Sequence, residues 1–512
     1  MADRRISGSD NMCESTTAAS TGPLIYAVPD VLITTILQHL SASDLCHVAS
    51  CCRWLRDATN QDSLWLPLCQ SRGWERYGTS TDLAKIASFG PSKQAADDSA
   101  AGDDIVTFQE DRIVTYENTA GLTSTCRWKG VYMRANHLEK NWATNCSYLK
   151  AFDLDVEESP RHRTAHHERS RAVVDGDLLA IQSVSKEIHV YDIRNNTLQC
   201  VIPSIETAGL FKFRDGVIVV PFQSGVACAF DASTGKLLQT IDGNWRRDAV
   251  SLLFDGELVI TYVLTFNGKY SDKFRAIYVW CVKDGKLIRI LTVDPTGGDC
   301  VCYNMDYRDK MVAAAFEGDC IRVWDAKSGE CVHTLKCPGE KSEVQLGDNV
   351  IVGFSTKGDE CVTTIWSQDT GECQKVIHVG LPVPISHFRK HMLSGYNAEL
   401  INSLILLKFD PMCCNPIRSV YAHNLRGEFI TQLMSDTYVE KGNGSKRLFY
   451  VNDPPPKGEG QKTQNRVIFN VTPNGLVKLF DVDSSNQIIW IDDIRMITCD
   501  NKEGILLVHH YW

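Results

Sequence analysis

Residues able to do chemistry are thinly spread along this chain of 512 amino acids. The densest group is RHRTAHHERS, where His162, His166 and His167 could hold a metal ion or an acidic ligand through their imidazoles. No carboxylate or cysteine stands at ligand spacing from them, so a solvated loop ahead of a strand is the plainer expectation. The 20 cysteines include no CxxC knuckle, and the adjacent pairs Cys51/Cys52 and Cys413/Cys414 point apart on a helix or strand. Cys228, Cys281 and Cys320 fall at strand-like positions, as expected of reduced core thiols. Asn145, Asn195, Asn443 and Asn470 fit the glycosylation pattern, but no secretory route is evident. Walker loops, Gly-x-Ser-x-Gly elbows and His-Glu-x-x-His helices do not occur in the sequence. Arg246 and Arg247, just ahead of a strand, are the best basic pair for gripping an anionic group on a partner, and a solvated loop is the competing reading. No catalytic, cofactor-binding or metal-binding residue is therefore expected.

The elements that would position these side chains must come from an ordinary soluble chain. It is 43% hydrophobic and 23% charged, and a net charge of -10 argues against nucleic acid or an anionic membrane as partner. The opening MADRRISGSDNMCESTTAASTG has no apolar core, and no later run is long enough to span a bilayer. A cytoplasmic and/or nuclear protein with a disordered start at residues 1–21 is the expectation.

Residues 22–70 read as helices. Ile33, Ile36, Leu37 and Leu40 recur at helical spacing after Pro29, and Leu45, Val48, Ala49 and Cys52 repeat the pattern with Ser43 as the expected N-cap. Leu64, Trp65 and Leu68 follow, interrupted by Pro67. So few residues cannot bury three apolar faces alone, which leaves surface for a partner. The acidic, small-residue stretch PSKQAADDSAAGDDIVTFQED then reads as a linker, and Val131, Ala135, Leu138 and Trp142 return to helical spacing.

From about residue 170 the period changes to that of strands. Tyr191, Phe230, Trp280, Trp324, Trp366 and Phe409 each end an alternating strand before a polar turn, at separations of 39, 50, 44, 42 and 43 residues. Phe480 in GLVKLFDV follows a longer interval that contains NDPPPKGEGQKTQN. Recurrence of this kind is the mark of four-stranded propeller blades. MITCDNKEGILLVHHYW supplies strands of a last blade, and CSYLKAFDLD the outer strand that closes the ring. Seven blades are expected, with eight as the alternative count. Trp280, Trp324 and Trp366 should be equivalent buried residues.

Two resemblances accompany these patterns. VPDVLITTILQHLSASDLCHVASCCRWLRD...DSLW closely resembles an F-box, through Val28 and Pro29, Ile36 and Leu37, Asp44 and Leu45, Arg53 and Trp54, and Leu64 and Trp65; only Val28 departs, where leucine is usual. The later segments resemble WD repeats, although only Trp324 and Asp325 give the literal pair and the Gly-His pair is missing. Trp128 to Arg134 and Glu139 to Trp142 are similar to the joint before the repeats in F-box proteins with WD repeats. The fold class implied is α+β and multidomain: a small N-terminal helical F-box at 22–70, a linker and connector helix at 71–147, and an all-β WD-type propeller at 148–512. The function implied is that of a substrate receptor in an SCF-type ubiquitin ligase. The F-box would bind a Skp-type adaptor, and through it cullin and RING subunits, by way of Pro29, Ile33, Ile36, Leu37, Leu40, Leu45 and Trp54. The propeller would bind a protein substrate, with Arg246 and Arg247 as candidate contacts, and neither nucleic acid nor membrane is expected as a partner. A non-catalytic scaffold acting outside ubiquitination is the competing reading.

Overall fold

The computed structural model describes residues 29–79, 125–153, 172–182, 187–195, 197–203, 211–222, 225–243, 249–264, 276–292, 302–316, 320–358, 360–380, 396–409, 418–435, 439–441, 447–452, 466–472, 475–482, 486–500 and 505–511. They fall into two compact units, Met1–Gly78 with Arg112–Met133, and Thr79–Asp111 with Arg134–Trp512. The division lies inside the helix Arg127–Thr144, whereas the sequence placed that whole helix with the linker.

In the first unit, α1 (Asp30–Leu37), α2 (Ala42–Cys51), α3 (Arg53–Thr59) and α4 (Asp62–Ser71) follow one another with short turns. Pro29 stands at the N-cap of α1, where its missing N–H costs nothing. Ser41, not the expected Ser43, caps α2: its hydroxyl accepts from the Asp44 amide at 3.2 Å. Both serines satisfy the composition rule for a cap, and only the extended backbone at Ser41 fits the geometry. Pro67 lies within α4 and removes one backbone donor from it.

The second unit is an eight-bladed propeller: the described strands form eight four-stranded antiparallel sheets. Seven sheets take four consecutive strands each, as in Cys302–Arg308, Met311–Phe316, Cys320–Asp325 and Cys331–Lys336 of blade four. Blade eight joins Asn486–Ile491, Arg495–Asp500 and Ile505–His510 to Tyr148–Asp153, with Tyr148 opposite His510 and Asp153 opposite Ile505. The closing strand is thus the one expected, while the count is eight and not the favoured seven. Phe409 ends the second strand of blade six, Leu404–Phe409, and Phe480 lies in the fourth strand of blade seven, Gly475–Val482. Any strand of a blade can alternate and end in an aromatic, so these two matches were out of step and obscured the last blades.

A structural marker replaces them. The pairing of third and fourth strands slips by one residue just before Tyr191, Phe230, Trp280, Trp324, Trp366, His423 and Phe469, one in each of blades one to seven. The extra residue of each slip lies on the fourth strand, and the third-strand aromatics of blades one to five pack against the preceding blade. Tyr191, Phe230, Trp280, Trp324 and Trp366 are buried there, and successive clusters of apolar side chains fill the gaps between blades. The next residue caps the following turn. Asp231 accepts from the amides of Ser233 and Thr234 at 3.0 and 2.8 Å, and Asp325 from those of Lys327 and Ser328 at 3.0 and 2.6 Å. The turns then close through Gly235 and Gly329 at φ of 67° and 77°, a region open to glycine at no steric cost.

Polar side chains stitch blades together at both radii. Inner strands have an unpaired edge, and neighbours satisfy it: Asn304 and Asp306 accept from the Val344 and Leu346 amides at 3.0 and 2.7 Å. Gln345 both donates to the Ala398 carbonyl at 2.9 Å and accepts from the Leu400 amide at 2.6 Å. On the outer wall, Lys150, Arg289 and His333 donate to the turn carbonyls of Arg194, Ser328 and Gln368 at 2.7, 3.0 and 2.7 Å, each on the next blade.

Candidate functional site

Helix α1 is apolar on more than one side, and the two sides have different fates. Ile33 and Leu37 join Leu45, Ala49, Leu64 and Trp65 among the buried residues of the first unit. Val31, Leu32 and Ile36 stay 75%, 54% and 58% exposed. Leu32 and Ile36 are one turn apart, so they line one strip of the helix. Of the seven residues expected at an adaptor, Pro29 and Ile36 are therefore exposed, Leu40 and Trp54 half-buried, and Ile33, Leu37 and Leu45 buried. The sequence pattern missed Val31 and Leu32. The available signal was an apolar run too wide for one face, since a helix needing only a core stripe would show polar residues there.

The first unit is held together by buried aromatics and side-chain caps. Trp65 donates its indole N–H to the Thr59 carbonyl at 2.8 Å, and Tyr132 packs edge-on against Trp65 and Trp74 with centroids 5.4 and 5.0 Å away. Asp62 accepts from the Trp128 amide at 2.8 Å, capping the start of the connector helix, and Asn60 accepts from the Cys126 amide at 2.7 Å. The Cys69 thiol lies against the Trp128 carbonyl at 3.6 Å, and burial pushes it up to about 11, so it is an inert core thiol.

In the second unit, the later turns of the connector helix belong to the propeller. Asn141 donates to the Tyr511 carbonyl at 2.8 Å and Trp142 to the Asp493 carbonyl at 2.9 Å, with the Trp142 and Tyr511 rings stacked 3.7 Å apart. Glu139 pairs with Arg447 at 2.9 Å. Asn145 ends the helix at φ 51° and accepts from the Tyr511 hydroxyl at 2.8 Å. Asp493 sits in a first-to-second-strand turn, so this seat lies on the rim that carries those turns. The opposite rim carries the second-to-third-strand turns and the blade-to-blade connections, where a propeller gathers loops from every blade. Arg246 and Arg247 lie outside the described residues, as do His162, His166, His167 and the expected linker near residues 91 to 104. Asn470 of the glycosylation pattern is buried in a strand, and Asn145 is engaged as described.

Among the described residues, no three His, Cys, Asp or Glu side chains gather where they could hold a metal ion, and no helix is long and apolar enough to cross a membrane. The described cysteines are free thiols.

The F-box-like family matches residues 25–71, the segment that contains the exposed strip. No curated protein sequence matches the chain. Among solved structures, the chain is similar to the computationally designed protein Ika8, with 15% identity and a TM-score of 0.48 over 70% of this chain and 98% of that one. It is also similar to BamB from Moraxella catarrhalis, with 13% identity and a TM-score of 0.37 over 66% and 84% of the two chains.

Proposed function

We propose that this F-box/propeller chain is the substrate-recognition subunit of an SCF-type ubiquitin ligase. The observation that carries the reading is the exposed apolar strip of Val31, Leu32 and Ile36 on a helix inside the F-box-like segment. A strip of this kind in water is unfavourable unless a partner covers it. The partner is a Skp-type adaptor, which links the chain to cullin and RING subunits. The contact uses Pro29, Val31, Leu32 and Ile36 directly, with Leu40 and Trp54 at its margin, while Ile33, Leu37 and Leu45 hold the helices in place from within.

The propeller captures the protein to be ubiquitinated on the rim opposite the connector seat. The chain itself is non-catalytic and supplies proximity, raising the effective concentration of substrate lysines at the transfer site. It works in the cytoplasm and/or nucleus, without nucleic acid, membrane or cofactor.

The test is a pair of substitutions on the exposed strip. Leu32→Asp with Ile36→Asp should leave the melting temperature of the full chain unchanged and weaken adaptor binding at least 30-fold, since central apolar anchors contribute about 2 kcal/mol or more. Leu37→Asp is unsuitable, because it places a charge in the core and unfolds the unit. Full adaptor binding by the folded double variant would remove the basis for the ligase reading and leave a propeller scaffold as the better one.

A further inference from the structure

The inner strands of blades two and four share one backbone plan, yet one place in that plan holds opposite charges. Both strands end in a two-residue turn, with Arg214 opposite Val217 and Arg308 opposite Met311. Two residues earlier, Lys212 stands opposite Val219 and Asp306 opposite Ala313. Phe213 packs into the cluster shared with blade one, so its neighbour Lys212 faces blade three, as Asp306 faces blade five. In blade one the same place is Val173, an apolar residue packed on the neighbouring clusters.

The strands they face also correspond. Asp306 accepts from the Leu346 amide at 2.7 Å. Leu346 pairs with Ile351 across a turn closed by the Gly347 amide on the Val350 carbonyl at 2.8 Å. In blade three Phe254 pairs with Val259 across the same kind of turn, closed by the Asp255 amide on the Leu258 carbonyl at 3.4 Å. Phe254 packs toward blade two as Leu346 packs toward blade four. Its amide therefore lies at the inner edge on the side of Lys212, where a donor meets a donor.

An ammonium has three donors and no acceptor, and a backbone N–H only donates. Lys212 is half-buried, and burial holds its ammonium below the ordinary lysine range, with no charged neighbour among the described residues to offset the effect. Between blades four and five the chain supplies a carboxylate at this place; between blades two and three it supplies a cation. A carboxylate from outside would stand where that of Asp306 stands, accept from the Phe254 amide and pair with Lys212 through a charge-assisted bond. A neutral acceptor would leave the cation unbalanced, and a phosphate would bring nearly two negative charges to one enclosed ammonium. We propose that the inner edge of the seam between blades two and three binds a carboxylate through Lys212 and the Phe254 amide. Its source is a free carboxylic acid or an acidic side chain of a bound peptide.

Melting curves of the full chain at constant ionic strength test this. Acetate stands for the free acid and a hexaglutamate peptide for the side chain. Replacing chloride by either should raise the melting temperature by about 1 °C or more once the probe exceeds its dissociation constant several-fold. A response to acetate alone assigns the free acid, and tighter binding of the peptide assigns the side chain. Lys212→Met, which keeps the length and removes the charge, should abolish both responses. Lys212→Asp should rebuild the arrangement of blade four, melt above Lys212→Met without any probe, and ignore acetate. An undiminished rise in Lys212→Met, no rise with either probe in the parent chain, or a Lys212→Asp variant that melts below Lys212→Met would each overturn the proposal.

Discussion

In blades one to five the third strand, where its pairing with the fourth slips, presents Tyr191, Phe230, Trp280, Trp324 or Trp366 to the blade before it; in blades six and seven the same position is His423 and Phe469. The turn that follows is less altered. Asn424 of blade six accepts from the Arg426 and Glu428 amides, both at 2.9 Å, as Asp325 of blade four does from its own turn. A turn is set by its own few residues and tolerates a change from Asp to Asn. A side chain between blades answers to the volumes of both, so replacing the aromatic requires compensation from the facing strand. The propeller's regularity is therefore one of backbone geometry more than of sequence.

The sharpest break in this comparison should come at the aromatics. Trp324→Ala removes a buried ring from the cluster between blades three and four and should cost about 3–5 kcal/mol. His423→Ala removes a smaller buried ring and should cost about 1–2 kcal/mol. Urea unfolding followed by tryptophan fluorescence compares them, and equal losses would put blades four and six on the same footing.

A second contrast sets the closing blade against the others through pH. His510, in the strand Ile505–His510, is held down to about 3, by burial first and then by the cations of Arg495 and Lys150. Its folded value lies below that of the unfolded chain, near 6.5, so the native state requires the neutral ring. Stability is fully present above pH 6.5 and falls as pH drops from there toward 3, by about 2 kcal/mol at pH 5. His509 is lowered in the same direction by burial. Melting curves between pH 7.5 and 5 should show the loss, and His510→Leu should flatten it; an unchanged slope in that variant would move the cause elsewhere.

The smallest effect concerns the turn cap. Asp325→Ala should lower stability by about 1 kcal/mol, as loss of a side-chain cap does elsewhere, and Asp325→Asn by less, since Asn424 fills the same role in blade six. Differential scanning of the two variants at neutral pH separates them. If the asparagine variant fell as far as the alanine one, carboxylate charge would matter more than cap geometry.

Much of this architecture was legible in the sequence. Pro29, Leu45 and Trp65 marked helices that exist, and Val131, Ala135, Leu138 and Trp142 marked a helix on which all four are buried. Tyr191 through Trp366 marked five blades correctly, because strand alternation and the aromatic happened to coincide with the bulge. Phe409 and Phe480 failed because alternation says nothing about rank within a sheet. A better signal was the first-to-second-strand turn, where Asp-Gly recurs at Asp175, Asp215 and Asp255, and positive φ persists at Asp309, Asn349 and Asn402. The exposure of Ile36 beside the burial of Leu37 was not legible, since periodicity finds an apolar helix without saying which side meets α2 and α3.

The closure through Tyr148–Asp153 also sets a timetable for synthesis. Tyr148 and its partner His510 are 362 residues apart in sequence, the difference of their numbers. At about 5–20 residues per second, the outer strand of blade eight waits roughly 20–70 s for the strand it will pair with. During that interval a nascent chain carries a strand with both edges open, able to pair with the corresponding strand of a neighbouring chain on the same messenger. Ring closure within one molecule is then a race against exchange between molecules. Crowded translation, more than any instability of the finished ring, is the condition under which this protein should misassemble.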